Sequence, residues 1–115
     1  MTNREMYVRF LRETQSFDSS KQLVDIDATG QKVLELLAIA SDSSQPMNVG
    51  QAMSAKWIAS PATLHRKISD LINAGYVASI YVGKNRRNRF LVPTDKADEF
   101  FSQMGSSMRC CLNGA

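Results

Sequence analysis

The side chains with most to offer chemically are cations, and they are grouped. Positions 56–89 hold Lys56, Arg66, Lys67, Lys84, Arg86, Arg87 and Arg89, with one acid, Asp70, among them. That third of the chain carries a formal +6. The remainder, with seven bases and ten acids, carries −3. A basic patch on an otherwise acidic body attracts polyanions. Charge runs are commonly no more than solvated faces; the placement of these, on the outer side of a helix and on a hairpin tip, argues for more. Catalytic and metal chemistry find little footing. No carboxylate pair stands near His65, the one histidine, and there is no phosphate-cradling glycine loop or metal-ligand spacing. The neighbouring Cys110 and Cys111 cannot staple a core. The expectation is a protein that is not an enzyme and takes no cofactor.

A helix must carry the first group of cations. Ser60 is its N-cap, Pro61 sits in its first turn, and Gly75 ends it. Leu64, Ile68, Leu71 and Ile72 recur at i, i+4, i+7 and i+8, a core stripe. At 100° per residue the opposite face holds Thr63, Arg66, Asp70 and Asn73, with Ala62 and Lys67 at its edges. Small residues at the N-terminal end allow close approach to a polymer groove. Arg66 can grip a guanine edge or a phosphate in bidentate fashion, and Thr63 can reach a phosphate or a thymine methyl. Asp70 reads as a partner for Arg66 or Lys67, or as an acceptor from a cytosine amine. His65 falls at the boundary and reads as a partly buried polar residue.

The second group needs a hairpin. Residues 77–82 read as a strand with Ala78, Ile80 and Val82 on one face, and 89–92 as its partner. Pro93 ends the pairing. The tip, Gly83-Lys84-Asn85-Arg86-Arg87-Asn88-Arg89, has four cations and no acid. Such a tip can enter a minor groove or neutralise phosphates.

The rest reads as support. A helix over 4–15 carries Tyr7, Phe10, Leu11 and Thr14 at helical spacing, and 16–20 is a loop. After an apolar lead-in at 23–26, Asp27 caps a helix to about Ala40, with Val33, Leu36, Leu37 and Ala40 inward. Asn48 caps a short helix over 49–55, and Trp57 and Ile58 are expected to pack inward from the connection. Thr94 or Asp95 caps a last helix with Ala97, Phe100, Phe101 and Met104; from Gly105 the chain reads as a frayed tail holding incidental cysteines. The order is four helices, two strands and a helix, with no pairing between strands distant in sequence. The class is mainly α with a small β-hairpin. The divisions are 1–22, a helix and loop; 23–94, the domain with the basic elements; and 95–115, a helix and tail. No apolar run spans a bilayer and no secretory signal opens the chain, so a cytoplasmic protein is expected, without a membrane partner.

The run Ser60-Pro61-Ala62-Thr63-Leu64-His65-Arg66-Lys67-Ile68-Ser69-Asp70-Leu71-Ile72-Asn73-Ala74-Gly75-Tyr76-Val77 resembles the recognition helix and following strand of bacterial winged-helix regulators. Asn85-Arg86-Arg87, followed by Leu91-Val92-Pro93-Thr94, is similar to the Asp-Arg-Arg wing and Leu-Thr exit of the MarR type. The resemblance spans about 24–104. It implies a winged helix-turn-helix with flanking N- and C-terminal helices, in a dimeric transcriptional regulator whose wing arginine is Arg86 or Arg87. The expected function is sequence-specific binding of double-stranded DNA, with the helix at about 60–74 in the major groove and the wing 83–89 on the minor groove or backbone. The expected contacts are Ser60, Ala62, Thr63, Arg66, Lys67, Lys84, Arg86, Arg87 and Arg89. The terminal helices would form a homodimer through Tyr7, Phe10, Leu11, Phe100, Phe101 and Met104, unless those residues fill an internal core. An effector pocket would lie between the dimerisation helices and the DNA-binding core, but no ligand is identifiable. The alternative is a winged-helix module for protein–protein interaction or for non-specific nucleic-acid binding.

Overall fold

The computed structural model describes residues 2–15, 26–81 and 89–112, without the side chains of Thr14 and Gln15. The loop at 16–20, Leu23 and Val24 of the lead-in, and the hairpin tip with Lys84, Arg86 and Arg87 lie outside the described residues, as does Val82. The order is α1 (Asn3–Gln15), α2 (Ala28–Asp42), β1 (Met47–Asn48), α3 (Val49–Met53), α4 (Pro61–Asn73), β2 (Val77–Tyr81), β3 (Arg89–Pro93) and α5 (Asp95–Leu112). The chain divides into two compact units, 25–97 and the two chain ends 1–24 with 98–115. Among the described residues no helix is long and apolar enough to cross a membrane.

In the 25–97 unit each helix starts where a short polar side chain can take a free N–H. The Gly30 N–H donates to Asp27 Oδ1 at 2.8 Å. At α3 the capping is reciprocal: the Gln51 N–H donates to Asn48 Oδ1 (2.8 Å) and the Asn48 N–H to Gln51 Oε1 (3.0 Å). Ser60 caps α4, and Pro61 follows at its first position. Gly75 has φ +86°, a conformation open to glycine without steric cost. It lets the Tyr76 and Gly75 N–H groups turn back to the carbonyls of Leu71 (2.9 Å) and Ile72 (3.1 Å), which closes α4.

The core of this unit comprises Val33, Leu34 and Leu37 of α2, Leu64, Ile68 and Leu71 of α4, and Leu91 of β3, with Ala52, Ala55, Tyr76 and Val77 around them. Leu34 takes the buried place expected for Leu36. The stripe runs Gly30, Val33, Leu34, Leu37 because α2 packs against both α4 and β3. Leu36 and Ala40 are half-buried.

The sheet departs from the expected lone hairpin. It has three antiparallel strands in the order β1-β3-β2, with Met47 opposite Leu91 and Asn48 opposite Phe90. Pairing between distant segments is therefore present, through a strand of two residues, too short to show a period. On the other edge β2 pairs from Val77 opposite Pro93 to Tyr81 opposite Arg89, so Pro93 is the last paired residue. Trp57 also departs from expectation: it is 76% exposed. Ala55, 1% exposed, takes the inward place of that turn instead.

In the other unit, Tyr7 and Leu11 of α1 are exposed. α5 does not fray at Gly105 but stays helical to Leu112. Phe100, Ser107 and Cys111 are buried and Met104 is half-buried. These four fall at i, i+4, i+7 and i+11, one stripe, and its burial outweighs the roughly 1 kcal/mol that a helical glycine costs. Cys111 is thus a buried helical residue and Cys110 an exposed one. Asn3, Met6, Tyr7 and Phe10 of α1 and Met108, Cys111 and Leu112 of α5 line a hollow of about 360 Å³.

Candidate nucleic-acid interface

α4 presents Ala62, His65, Arg66, Asp70 and Asn73 to solvent, with Ser60 and Pro61 exposed at its start. Its buried side is Leu64, Ile68 and Leu71. His65 is exposed rather than partly buried, since the stripe is completed by residues on either side of it. Thr63 is half-buried; its N–H donates to Ser60 Oγ (3.4 Å), while the Ser60 hydroxyl lies 3.0 Å from Thr63 Oγ1. The two hydroxyls therefore orient each other at the helix start, and Arg66 is the exposed cation one turn on.

Lys67 is placed differently from the other α4 polar residues. Its ammonium donates to Asp27 Oδ2 at 2.5 Å, and its side chain is only 14% exposed. Lys67, one of the two cations read as partners for Asp70, instead pairs with the N-cap of α2, forty residues away in sequence. A single carboxylate thus holds two things: one oxygen caps α2, and the other fixes Lys67 on α4. Ile26, Asp27, Gly30, Lys67 and Asp70 line a hollow of about 330 Å³ there. Gly30 suits the crowding, because a Cβ would stand 2.9 Å from Ile26 Cγ2.

The Lys67 hydrogen bond, then the Gly30 N–H, hold the Asp27 carboxyl below its ordinary value. The folded value lies under the unfolded one of about 3.9, so the stabilisation is fully present above that pH. It is lost as pH falls through the lowered folded value. Urea midpoints measured from pH 5 to pH 2 should therefore fall more steeply for the native chain than for Asp27→Asn. Parallel curves would show that the pair contributes nothing.

At the sheet, the Arg89 Nε–H donates to Ser79 Oγ at 2.8 Å, and the guanidinium carbon lies 5.8 Å from the Tyr81 ring centroid. β2 therefore holds Arg89 at the root of the hairpin. The tip cations Lys84, Arg86 and Arg87 lie outside the described residues. The described residues thus bring Ser60, Ala62, Thr63 and Arg66 together at one end of α4, tie Lys67 to α2, and fix Arg89 on the sheet. Sequence reasoning marked Asp27 as a cap but not as the partner of Lys67, and it gave Ser79 and Tyr81 no role. No local pattern signals either contact.

No family model and no curated protein matches the chain. Solved structures do. Transcriptional regulator Tm0710 from Thermotoga maritima has a TM-score of 0.65 at 17% identity over 96% of this chain and 70% of that one. Rv1404 from Mycobacterium tuberculosis has 0.64 at 15% identity over 96% and 68%. ZitR from Lactococcus lactis has 0.54 at 17% identity over 99% and 80%. The fold here is the winged helix. Within it α3 and α4 are the helix-turn-helix, β2 and β3 are the wing strands, and β1 closes the sheet. At these identities the likeness is one of fold, so what a winged helix does in this chain is argued from its own residues.

Proposed function

We propose that this winged helix is a DNA-binding transcriptional regulator that reads double-stranded DNA with α4. The observation that carries the reading is the outward face of α4. It joins small exposed residues at the N-terminal end, Ser60 and Ala62, to an exposed Arg66 one turn later, on a scaffold whose wing strands lead into a tip of further cations. A major groove admits such a helix end, and arginine there matches the guanine edge. Ser60, Ala62, Thr63 and Arg66 would meet the groove. Lys67, released from Asp27, would add a phosphate contact. Lys84, Arg86, Arg87 and Arg89 would grip the minor groove or backbone.

The segments 1–22 and 95–115 would form a homodimer around the 23–94 domains. Tyr7, Leu11, Met108 and Leu112 are exposed apolar residues on α1 and the end of α5, as a self-complementary interface requires. Two copies would then span half-sites about 34–36 Å apart, or a multiple of that.

Salt dependence tests the reading. If each subunit neutralises about 3–5 phosphates, the logarithm of affinity falls with the logarithm of salt at about −0.9 per phosphate. Anisotropy titrations of a labelled duplex at several salt concentrations read that slope, and a flat response would reject duplex binding.

A further inference from the structure

We infer that Trp57, with Lys56, makes a contact to the duplex distinct from the α4 face, on the sugar–phosphate rim beside the start of that helix. This rests on the reading of α4 as the helix that enters the groove.

The indole is 76% exposed and is the chain's one tryptophan. Its exposure is built in. The Lys56 N–H donates to the Ser54 carbonyl (2.8 Å) and the Ile58 N–H to that of Ala55 (3.0 Å), which fixes the backbone of the turn. Ala55 is buried and Ile58 half-buried, so the turn sends its small residue in and its largest one out. Left in water, that ring forgoes the burial that dominates aromatic energetics.

Reach decides what could cover it. Trp57 is three residues before the N-cap Ser60, so the two Cα atoms are at most about 11 Å apart. A major groove is about 12 Å wide. With the start of α4 inside it, a residue no farther away than that is within reach of the groove wall, where deoxyribose faces are apolar and phosphate oxygens only accept hydrogen bonds. Indole matches both, with an apolar face and one N–H that only donates. Lys56, exposed beside it, adds the charge that a phosphate attracts. A protein-docking hot spot would instead sit among other apolar surface, whereas the exposed residues within three positions of Trp57 in the chain are Ser54, Lys56 and Ser60.

A single tryptophan makes the native chain its own reporter. A fluorescein-labelled duplex, selected from a random pool by binding, is titrated against the protein, and anisotropy and tryptophan emission are read together. The expected result is a change in emission that saturates at the anisotropy midpoint. Trp57→Ala should weaken binding about tenfold, in keeping with the burial of one large apolar side chain, and leave the salt slope unchanged. Trp57→Phe should restore most of the affinity, and Lys56→Ala should flatten the slope by about 0.9. Rising anisotropy with unchanged emission, and native affinity for Trp57→Ala, would overturn the inference and leave the DNA reading intact. No anisotropy change at low salt would remove both. Emission that depends on protein concentration without DNA would place a second copy over the indole and overturn the inference as well.

Discussion

Replacing Arg66 by alanine should lower affinity for a selected duplex by about 10- to 100-fold, since one bidentate base contact carries roughly 1–3 kcal/mol of discrimination. Among the described residues of α4, Arg66 is the exposed cation, whereas Lys67 is held by Asp27 and, once released, would meet a phosphate rather than a base edge, so it does not replace the base contact that is lost. Arg66→Lys separates charge from geometry. Lysine keeps the positive charge, and with it most of the salt slope, but lacks the planar fork that matches a guanine edge. Competition between the selected duplex and its single-base variants should therefore show discrimination lost at one base pair while general affinity is largely kept. If Arg66→Lys discriminates as well as the native chain, Arg66 is a phosphate ligand and α4 reads sequence through other residues.

Leu91→Ala should be a severe core change, costing about 2–5 kcal/mol, against a domain stability of roughly 5–15 kcal/mol. Leu91 is 0% exposed and lies on β3, the strand with partners on both sides, opposite Met47 on one edge and Ser79 on the other. Removing its side chain leaves a void beside the α2 packing surface. Ile80→Ala is the control. That residue is 39% exposed on the outer strand and should cost under about 1 kcal/mol. Urea midpoints of the two variants should differ widely. Similar midpoints would mean that the sheet is not where this core is anchored.

What the sequence made legible follows from which interactions are local. Ser60, Pro61 and Gly75 mark the ends of α4, and its apolar residues repeat at helical spacing, so its bounds and faces could be read directly. The caps at Asp27 and Asn48 were legible for the same reason. β1 was not, because two residues cannot show alternation and their pairing is with residues far along the chain. Apolar character predicts burial for Trp57, but the turn directs Ala55 inward and half-buries Ile58 instead. The low helix propensity of Gly105, Ser106 and Ser107 predicts a frayed end for α5, and burial of Ser107 and Cys111 overrides it. At the candidate site the outward places of Arg66, Asp70 and Asn73 are readable from angle alone, whereas Thr63 is half-buried and His65 exposed. The ties of Lys67 to Asp27 and of Arg89 to Ser79 were not, because each joins elements that only the folded chain brings together.

The two-residue pairing of β1 also has a kinetic meaning. Met47 and Asn48 meet Leu91 and Phe90 only after α3, α4 and the hairpin have been laid down between them. So small a ladder repays little of the entropy of closing so long a loop. It is therefore expected to form last in assembly and to open first. Asn48 also caps α3, a helix of five residues that is far too short to persist on its own. When this edge opens, the first helix of the helix-turn-helix loses its start at the same moment. Backbone amides of β1 and α3 should then exchange with solvent deuterium together, ahead of those in α4, as one cooperative unit.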